Sequence, residues 1–392
     1  MRYKVFNGKV IRSNEILENA SVLVSNRKVE GIETRQIDYP DAIEIDAKGN
    51  YISPGFIDIH LHGGGGADFM DGTVEAFLTI AETHARYGTT AMLPTTLTAE
   101  KEDLEATLNA YEVAKTNNTK GSAFLGMHLE GPYFAMSQRG AQDPRFIRNP
   151  DENEYRGIVS KYKSIKRWSA APELPGAIEF GKFLVANNIL AAIAHTDAIY
   201  EEAAEAFENG YSLATHFYSG MSGVTRRNAY RYAGVVEAGY LIDEMDVEII
   251  ADGIHLPAAL LQLIHKIKGS KRTALITDAM RGAAMPEGES VLGGLKNGTK
   301  VIIEDGVAKM PDRKAFAGSV ATFDRLVRNM LNLAKLPLLD VIQMASLTPA
   351  RIMKMDQSKG SIEIGKDADI VIFDSDIKVQ LTMVEGRVVY QK

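Results

Sequence analysis

The residues of this chain that could bind a metal ion or carry a proton fall at one kind of place, the ends of short apolar runs. Asp58-Ile59-His60-Leu61-His62, His128-Leu129-Glu130-Gly131-Pro132, Ala194-His195-Thr196-Asp197, Thr215-His216, Ala251-Asp252-Gly253-Ile254-His255 and Thr277-Asp278-Ala279 each close such a run. The chain has eight histidines and no cysteine. Only imidazoles and carboxylates are therefore available to hold zinc or a transition metal. In a strand, His60 and His62 point to one face with Leu61 on the other. Alone, such a pair serves equally well to bond backbone groups. Set between Pro54-Gly55-Phe56-Ile57-Asp58 and the turn-forming Gly63 to Gly66, it points to a metal site. Glu130 ends a run of apolar neighbours, where a bare carboxylate is costly to bury. Either a cation or a salt bridge to Arg139 or Lys120 removes that cost. His195 and His216 are one strand-plus-helix unit apart, so adjacent strands present them side by side. With Glu130 they make a two-nitrogen, one-oxygen set that leaves a position for water.

Asp278 is the candidate proton carrier, because water ionised at a metal needs a carboxylate to take its proton and hand it to a leaving amine. The other readings of Asp278 are a helix cap or a partner of Arg281. His255 could hold substrate, polarise a carbonyl or cap the loop before Pro257. His84 and His265 sit within amphipathic helices and read as structural.

These residues need a frame that brings strand ends together. Eight apolar, β-branched runs are spaced along the middle of the chain: Phe56 to His60, Thr90 to Thr95, Phe124 to Leu129, Ile165 to Ala171, Leu190 to Ala194, Leu213 to Thr215, Val247 to Ala251 and Ala274 to Thr277. Amphipathic stretches separate several of them, at Thr73–Tyr87, Glu100–Lys115, Gly176–Asn187 and Glu201–Glu208, and two more, Thr322–Leu333 and Leu338–Met353, follow the last run. Such alternation predicts an α/β chain with a parallel sheet, and eight units fit a (β/α)₈ TIM-type barrel, whose sites lie at the carboxyl ends of its strands. VIIEDGVAKM interrupts the rhythm as an expected hairpin insertion at about 291–310. Short strands and turns mark both ends of the chain, with Tyr3–Phe6, Ala20–Val24 and Ile43–Ile45 before the runs and Ala368–Phe373, Lys378–Thr382 and Arg387–Tyr390 after them. The expected division is a small β domain from 1–53 plus 356–392 around a barrel at 54–355.

Composition narrows the partners. With 44 Lys and Arg against 51 Asp and Glu, the net charge of −7 gives no reason to expect nucleic acid or an anionic membrane. An anionic substrate would need a local basic patch. No run approaches the ~20 apolar residues of a membrane span, and the first residues lack a signal or transit pattern, so a cytoplasmic location is expected.

Taken together, Pro54 to Asp58 with His60 and His62, the closing Gly365-Lys366-Asp367-Ala368-Asp369-Ile370-Val371, and the interior motifs His128 to Tyr133, Ala194 to Ala198, Thr215 to Tyr218, Ile250 to His255 and Thr277 to Ala279 resemble the N-acetylglucosamine-6-phosphate deacetylases of the amidohydrolase superfamily, in order and over nearly the whole chain. The resemblance implies a barrel with a terminal β-sandwich, a homodimer and a small amino-sugar phosphate as substrate. It implies a zinc or iron ion held by Glu130, His195 and His216, with Asp278 as acid and base. A second ion would lie at His60 and His62, with Glu130 bridging and Asp278 completing the site, giving one or two ions per subunit. His255, Ser219, Gly220 and Gln142 would contact substrate, and Arg226, Arg227 or Arg231 the phosphate. The chain departs from the family twice. Phe217-Tyr218-Ser219-Gly220-Met221 has Ser219 in place of an asparagine that helps hold the sugar phosphate. Arg139-Gly140-Ala141-Gln142-Asp143-Pro144 has Gln142 in place of a histidine near the acetyl carbonyl, where an amide can donate a hydrogen bond but carries no charge. Related readings are a deacetylase of N-acetylgalactosamine 6-phosphate or of an unphosphorylated N-acyl sugar. A cyclic-amide hydrolase fits less well, because Ser169-Ala170-Ala171-Pro172-Glu173 lacks the strand-four lysine of many such enzymes. A metal-free scaffold would be expected to have lost its ligands, and all six are present.

Overall fold

The computed structural model describes residues 1–35 and 37–392. Eight parallel strands carry the residues singled out above: β1 (Phe56–Leu61), β2 (Thr89–Pro94), β3 (Met127–Glu130), β4 (Ile165–Ala170), β5 (Leu190–Ile193), β6 (Tyr211–Ala214), β7 (Asp246–Ile250) and β8 (Thr273–Ile276). β1 pairs with β2, and β3 to β8 pair in sequence order. The two sets meet at both edges. Thr95 bridges to His128 between β2 and β3, while Asp278 N donates to His60 O at 3.0 Å and His62 N to Ala279 O at 2.8 Å between β8 and β1. The result is a curled parallel sheet in a mixed α/β fold. In β1 and β2 every residue is buried, as expected of strands covered on both faces.

Helices cover the outside. In the first, Val74–Ala85, Phe77, Ile80, Ala81 and His84 recur at helical spacing on the buried face, and the Thr73 side chain accepts from Ala76 N to cap its start. The stretch expected as one helix over Leu338–Met353 is two, Leu338–Ala345 and Leu347–Ile352, broken at Ser346. Pro349 is the reason, since it has no N–H for the carbonyl four residues earlier and is tolerated only in a first turn.

Two further sheets complete the chain. The expected hairpin is a four-stranded antiparallel sheet, Gly288–Leu292, Thr299–Glu304, Val307–Lys309 and Phe316–Ser319, and its last strand returns to the curled sheet, with Met280 N donating to Ser319 O and Ser319 N to Asp278 O, both at 2.8 Å. Both chain ends share an eight-stranded sheet in which Tyr51 to Pro54 pair antiparallel with Phe373 to Ile370. Alternation along Arg2–Ile11 places Tyr3, Val5 and Val10 in a separate core with Val22, Ile52, Ile370 and Leu381. Among the described residues, no helix is long and apolar enough to cross a membrane.

Candidate metal centre and active site

The carboxyl ends of the strands converge on Glu130, the last residue of β3. Its Oε1 lies 3.0 Å from His216 Nε2, 3.3 Å from His195 Nε2 and 3.4 Å from His60 Nε2, and its Oε2 lies 3.3 Å from His62 Nε2. Asp278 Oδ1 closes the ring at 3.2 Å from His62 Nε2 and 3.5 Å from His60 Nε2. His195, His216 and Asp278 follow their strands in left-handed backbone conformation, with φ of 48°, 31° and 46°. Such conformations cost non-glycine residues of order 1–3 kcal/mol each, and here they turn three side chains inward at one point.

Four imidazole nitrogens and two carboxylates, all buried and with no lysine or arginine among them, form a donor set for a divalent cation. Two triads have their ligating atoms mutually within 4.8 Å, His60-His62-Glu130 and Glu130-His195-His216. Glu130 belongs to both. His195 Nδ1 is 2.8 Å from Gln138 O and His216 Nδ1 is 3.0 Å from Ser219 O, so each ring donates from Nδ1 and keeps the Nε2 lone pair toward Glu130. Burial alone would lower the histidine pKa values at this point. The carboxylates outweigh it, with Glu130, Glu248 and Asp278 raising His60 to about 9, and Asp278 and Glu130 raising His62 to about 10. Burial likewise pushes Glu130 and Asp278 up, and the surrounding imidazoles hold both below the ordinary carboxylate range. The cavity thus favours positive charge where the ligands meet. The alternative partners are engaged elsewhere: Arg281 pairs with Asp71 at 2.6 Å, Arg139 Nη1 lies 3.4 Å from Gln142 O, and no lysine or arginine pairs with Glu130 among the described residues.

Other polar residues of the strand-end motifs support the ring rather than join it. Asp58, fully buried and raised to about 7 by that burial, accepts from Thr277 Oγ1 at 2.5 Å and ties β1 to β8 beneath the ligands. Asp252 accepts from the backbone N–H groups of Ile254 and His255 and lies 2.8 Å from His255 Nδ1. That bond fixes the His255 ring with Nε2 free. His128, beside Glu130 in the sequence, is not a ligand, since Thr95 and Ser169 hydroxyls occupy both ring nitrogens at 3.1 and 2.7 Å. His84 donates from Nε2 to Gly63 O at 2.9 Å and so holds the glycine turn after His62.

A cavity of about 240 Å³ opens over this centre, lined by His62, Glu130, His195, His216 and Asp278 on one side and by His255, Ser219, Gly220, Gln142, Phe316 and Leu292 around the rim. Phe316, whose ring is 4.7 Å from that of His255, and Leu292 come from the inserted sheet, so that sheet is a wall of the site. Gly220 has φ of 57°, and a Cβ there would come within 2.9 Å of His195 Nδ1, so only glycine fits against the ligand. Gln142 lines the cavity with part of its amide already engaged. Its Nε2 donates to Glu130 Oε2 at 2.8 Å and its Oε1 accepts from Thr98 N at 2.9 Å, so it orients the bridging carboxylate. Arg226, Arg227 and Arg231 lie on an exposed hairpin, Thr225–Arg227 paired with Tyr230–Tyr232, and none lines the cavity.

Comparison with known proteins agrees with this geometry. Residues 51–389 match the amidohydrolase family. The chain is 36% identical over 340 residues to the N-acetylglucosamine-6-phosphate deacetylase of Vibrio furnissii, covering 86% of this chain and 83% of the relative. It is 34% identical over 337 residues to the N-acetylgalactosamine-6-phosphate deacetylase of Escherichia coli O157:H7, covering 86% and 87%. A mutant N-acetyl-D-glucosamine-6-phosphate deacetylase from Mycobacterium smegmatis, solved in complex with N-acetyl-D-glucosamine-6-phosphate, superposes over 100% of both chains with a TM-score of 0.91 at 27% identity.

Proposed function

Because the chain belongs to the amidohydrolase family, as a relative of its N-acetylglucosamine-6-phosphate deacetylases, we propose that it hydrolyses the N-acetyl group of N-acetylglucosamine 6-phosphate to glucosamine 6-phosphate and acetate. The observation that carries the reading is the convergence of four imidazole Nε2 atoms and Asp278 on Glu130 at the floor of a sugar-sized cavity. The frame is read as a (β/α)₈ barrel over 54–355 with a β-sandwich from 1–53 and 356–392; the circuit of parallel strands and the sheet shared by both chain ends support it.

Glu130, His195 and His216 would hold one divalent ion, and His60 and His62, with Glu130 shared and Asp278 completing the set, a second; zinc and iron both suit these ligands. A bound ion supplies Lewis acidity toward the acetamide carbonyl and lowers the pKa of water. Asp278 does the proton work: kept ionised by His62 and His60, it takes a proton from the attacking water and delivers it to the departing sugar nitrogen. His255, with Nδ1 on Asp252, presents Nε2 to a substrate hydroxyl, and Ser219 and Gly220 line the same rim. Gln142 keeps Glu130 turned toward its ligand partners. Among the described residues no lysine or arginine lines the cavity, so the charge for the phosphate must come from elsewhere, which favours a homodimer in which Arg226, Arg227 or Arg231 reaches the partner's site. The enzyme is assigned to the cytoplasm.

Acetate release from N-acetylglucosamine and N-acetylgalactosamine, each with and without the 6-phosphate, tests the substrate. The glucosamine phosphate is expected to turn over fastest. Faster release from the galactosamine phosphate would move the assignment to that sugar, which the relative at 34% identity makes the second reading. Equal rates with and without phosphate would remove the phosphate from the substrate altogether.

A further inference from the structure

Directly beneath the ligands lies a buried ion pair to which the reaction gives no role. Arg167 of β4 and Glu248 of β7 are both fully buried. Arg167 Nη2 donates to Glu248 Oε2 and to Thr215 Oγ1, each at 2.8 Å, and its Nη1 donates to Ile59 O at 3.0 Å and to the other Glu248 oxygen. Ile59 immediately precedes His60, and Thr215 immediately precedes His216. Glu248 Oε2 lies 3.8 Å from His60 Nδ1, which has no hydrogen-bond partner of its own, and the Glu248 backbone oxygen accepts from Phe217 N at 2.7 Å. The layer continues sideways. Thr215 Oγ1 is 3.3 Å from Ser169 Oγ, Ser169 Oγ is 2.7 Å from His128 Nε2, and His128 Nδ1 is 3.1 Å from Thr95 Oγ1. One guanidinium therefore links β1, β4, β7 and the residue that follows β6 at the level just below the ligand ring.

Stability is a poor reason for this pair. Taking two charges out of water costs about what their attraction returns, and apolar side chains of similar volume usually serve the fold as well. A guanidinium below a cation site also repels the cation unless it is neutralised in place. We propose that Arg167 and Glu248 are positioning residues of the cation site. Arg167 fixes the carbonyl before His60 and the hydroxyl before His216, so both imidazoles enter the ring at set angles. Glu248 cancels the guanidinium charge, and its carboxylate, 3.8 Å from His60 Nδ1, favours a proton on that nitrogen through its field, which keeps the His60 Nε2 lone pair facing Glu130 and Asp278. The inference rests on reading His60, His62, Glu130, His195 and His216 as divalent-cation ligands, and adds that their affinity is set one layer below them.

The double variant Arg167→Met with Glu248→Leu removes both charges at once and leaves neither unpaired. Full-length wild type and variant are stripped of metal, titrated with zinc against a chelator of known affinity, and melted in the metal-free state. Expected is a metal-free melting temperature close to wild type with zinc affinity about 10- to 100-fold weaker, the loss typical when a ligand's supporting partner is removed. A folded double variant with wild-type zinc affinity overturns the proposal, whereas a wild type that takes up no zinc overturns the site reading beneath it. Should the double variant not fold, Thr215→Val deletes one hydrogen bond to Arg167 without creating a charge. A several-fold weaker zinc affinity then supports the proposal, and an unchanged one overturns it.

Discussion

The ligand wall and the basic hairpin proposed to receive the phosphate stand in opposite states of preparation. The ligand wall is finished within one chain: its six groups are buried, three stand on left-handed backbone, and Gln138, Ser219, Gln142 and Asp252 already hold side chains of the site in orientation. The basic hairpin is exposed at every arginine and touches none of the cavity. The contrast follows from what each part must do. Imidazoles and carboxylates that share a cation have to be dry and preassembled, because reorganising them at the moment of reaction would consume the advantage of the site. A phosphate needs only charge and donors at its edge, and long arginine side chains stay hydrated on a hairpin until the anion arrives.

If that division holds, substitutions on the wall should destroy turnover and those on the hairpin should weaken binding. The largest loss is expected from Glu130→Gln, which serves both triads; kcat/KM should fall by about 10⁴ or more, as when one member of a catalytic unit is removed, with bound metal lost in the same preparation. Full metal content with normal kinetics would show that Glu130 is not shared. Asp278→Asn comes next, with kcat lowered by roughly 10²–10⁴ and metal retained at His195 and His216. Near-normal turnover in a fully metallated Asp278→Asn protein would take the proton role away from that residue. Replacing Arg226, Arg227 and Arg231 together by alanine should leave kcat nearly intact and raise KM for the phosphorylated sugar by about 10- to 100-fold, the worth of one or two charge-assisted hydrogen bonds. A fall in kcat with unchanged KM would break the comparison, because the hairpin would then be part of the wall.

The same contrast governs what could be read from the sequence. His60, His62, Glu130, His195, His216, Asp278 and His255 were legible because each ends an apolar run, and the eight runs with their helices were legible from periodicity. The layer below left a fainter sign. Arg167 within Ile165–Ala170 and Glu248 within Asp246–Ile250 are opposite charges set in the middle of buried strands, and only the curl of the sheet shows that they face each other. Gln142 stands out in the sequence as a rim residue and does line the cavity, but nothing in its loop reveals that it also bonds Thr98 N and Glu130 Oε2. The insertion read as a hairpin conceals its function for the same reason: Phe316 reaches His255 only because the fourth strand of that sheet returns to Asp278.

The last expected effect, on stability rather than turnover, probes how the wall is kept rigid. His84 is buried beneath the glycine turn that follows His62, and burial lowers its pKa from 6.5 to about 4, with its bond to Gly63 O opposing the shift only in part. The folded value lies below the unfolded one, so between these limits the unfolded chain binds the extra proton. The contribution to stability is complete above about pH 6.5 and is lost as pH falls toward 4, amounting to about 3 kcal/mol across that window. Asp58 acts in the opposite sense, since its raised pKa of about 7 makes the folded chain the better proton acceptor as pH falls below that value. Total stability therefore mixes the two, and the His84 share has to be isolated by difference. In His84→Gln an amide can still donate to Gly63 O but cannot titrate. Denaturant unfolding of the metal-free proteins at pH 7, 6 and 5 should show the wild type losing stability more steeply than His84→Gln. Parallel pH profiles would mean that the turn beside His62 is not held by a buried neutral imidazole, and the rigidity of the wall would then need another source.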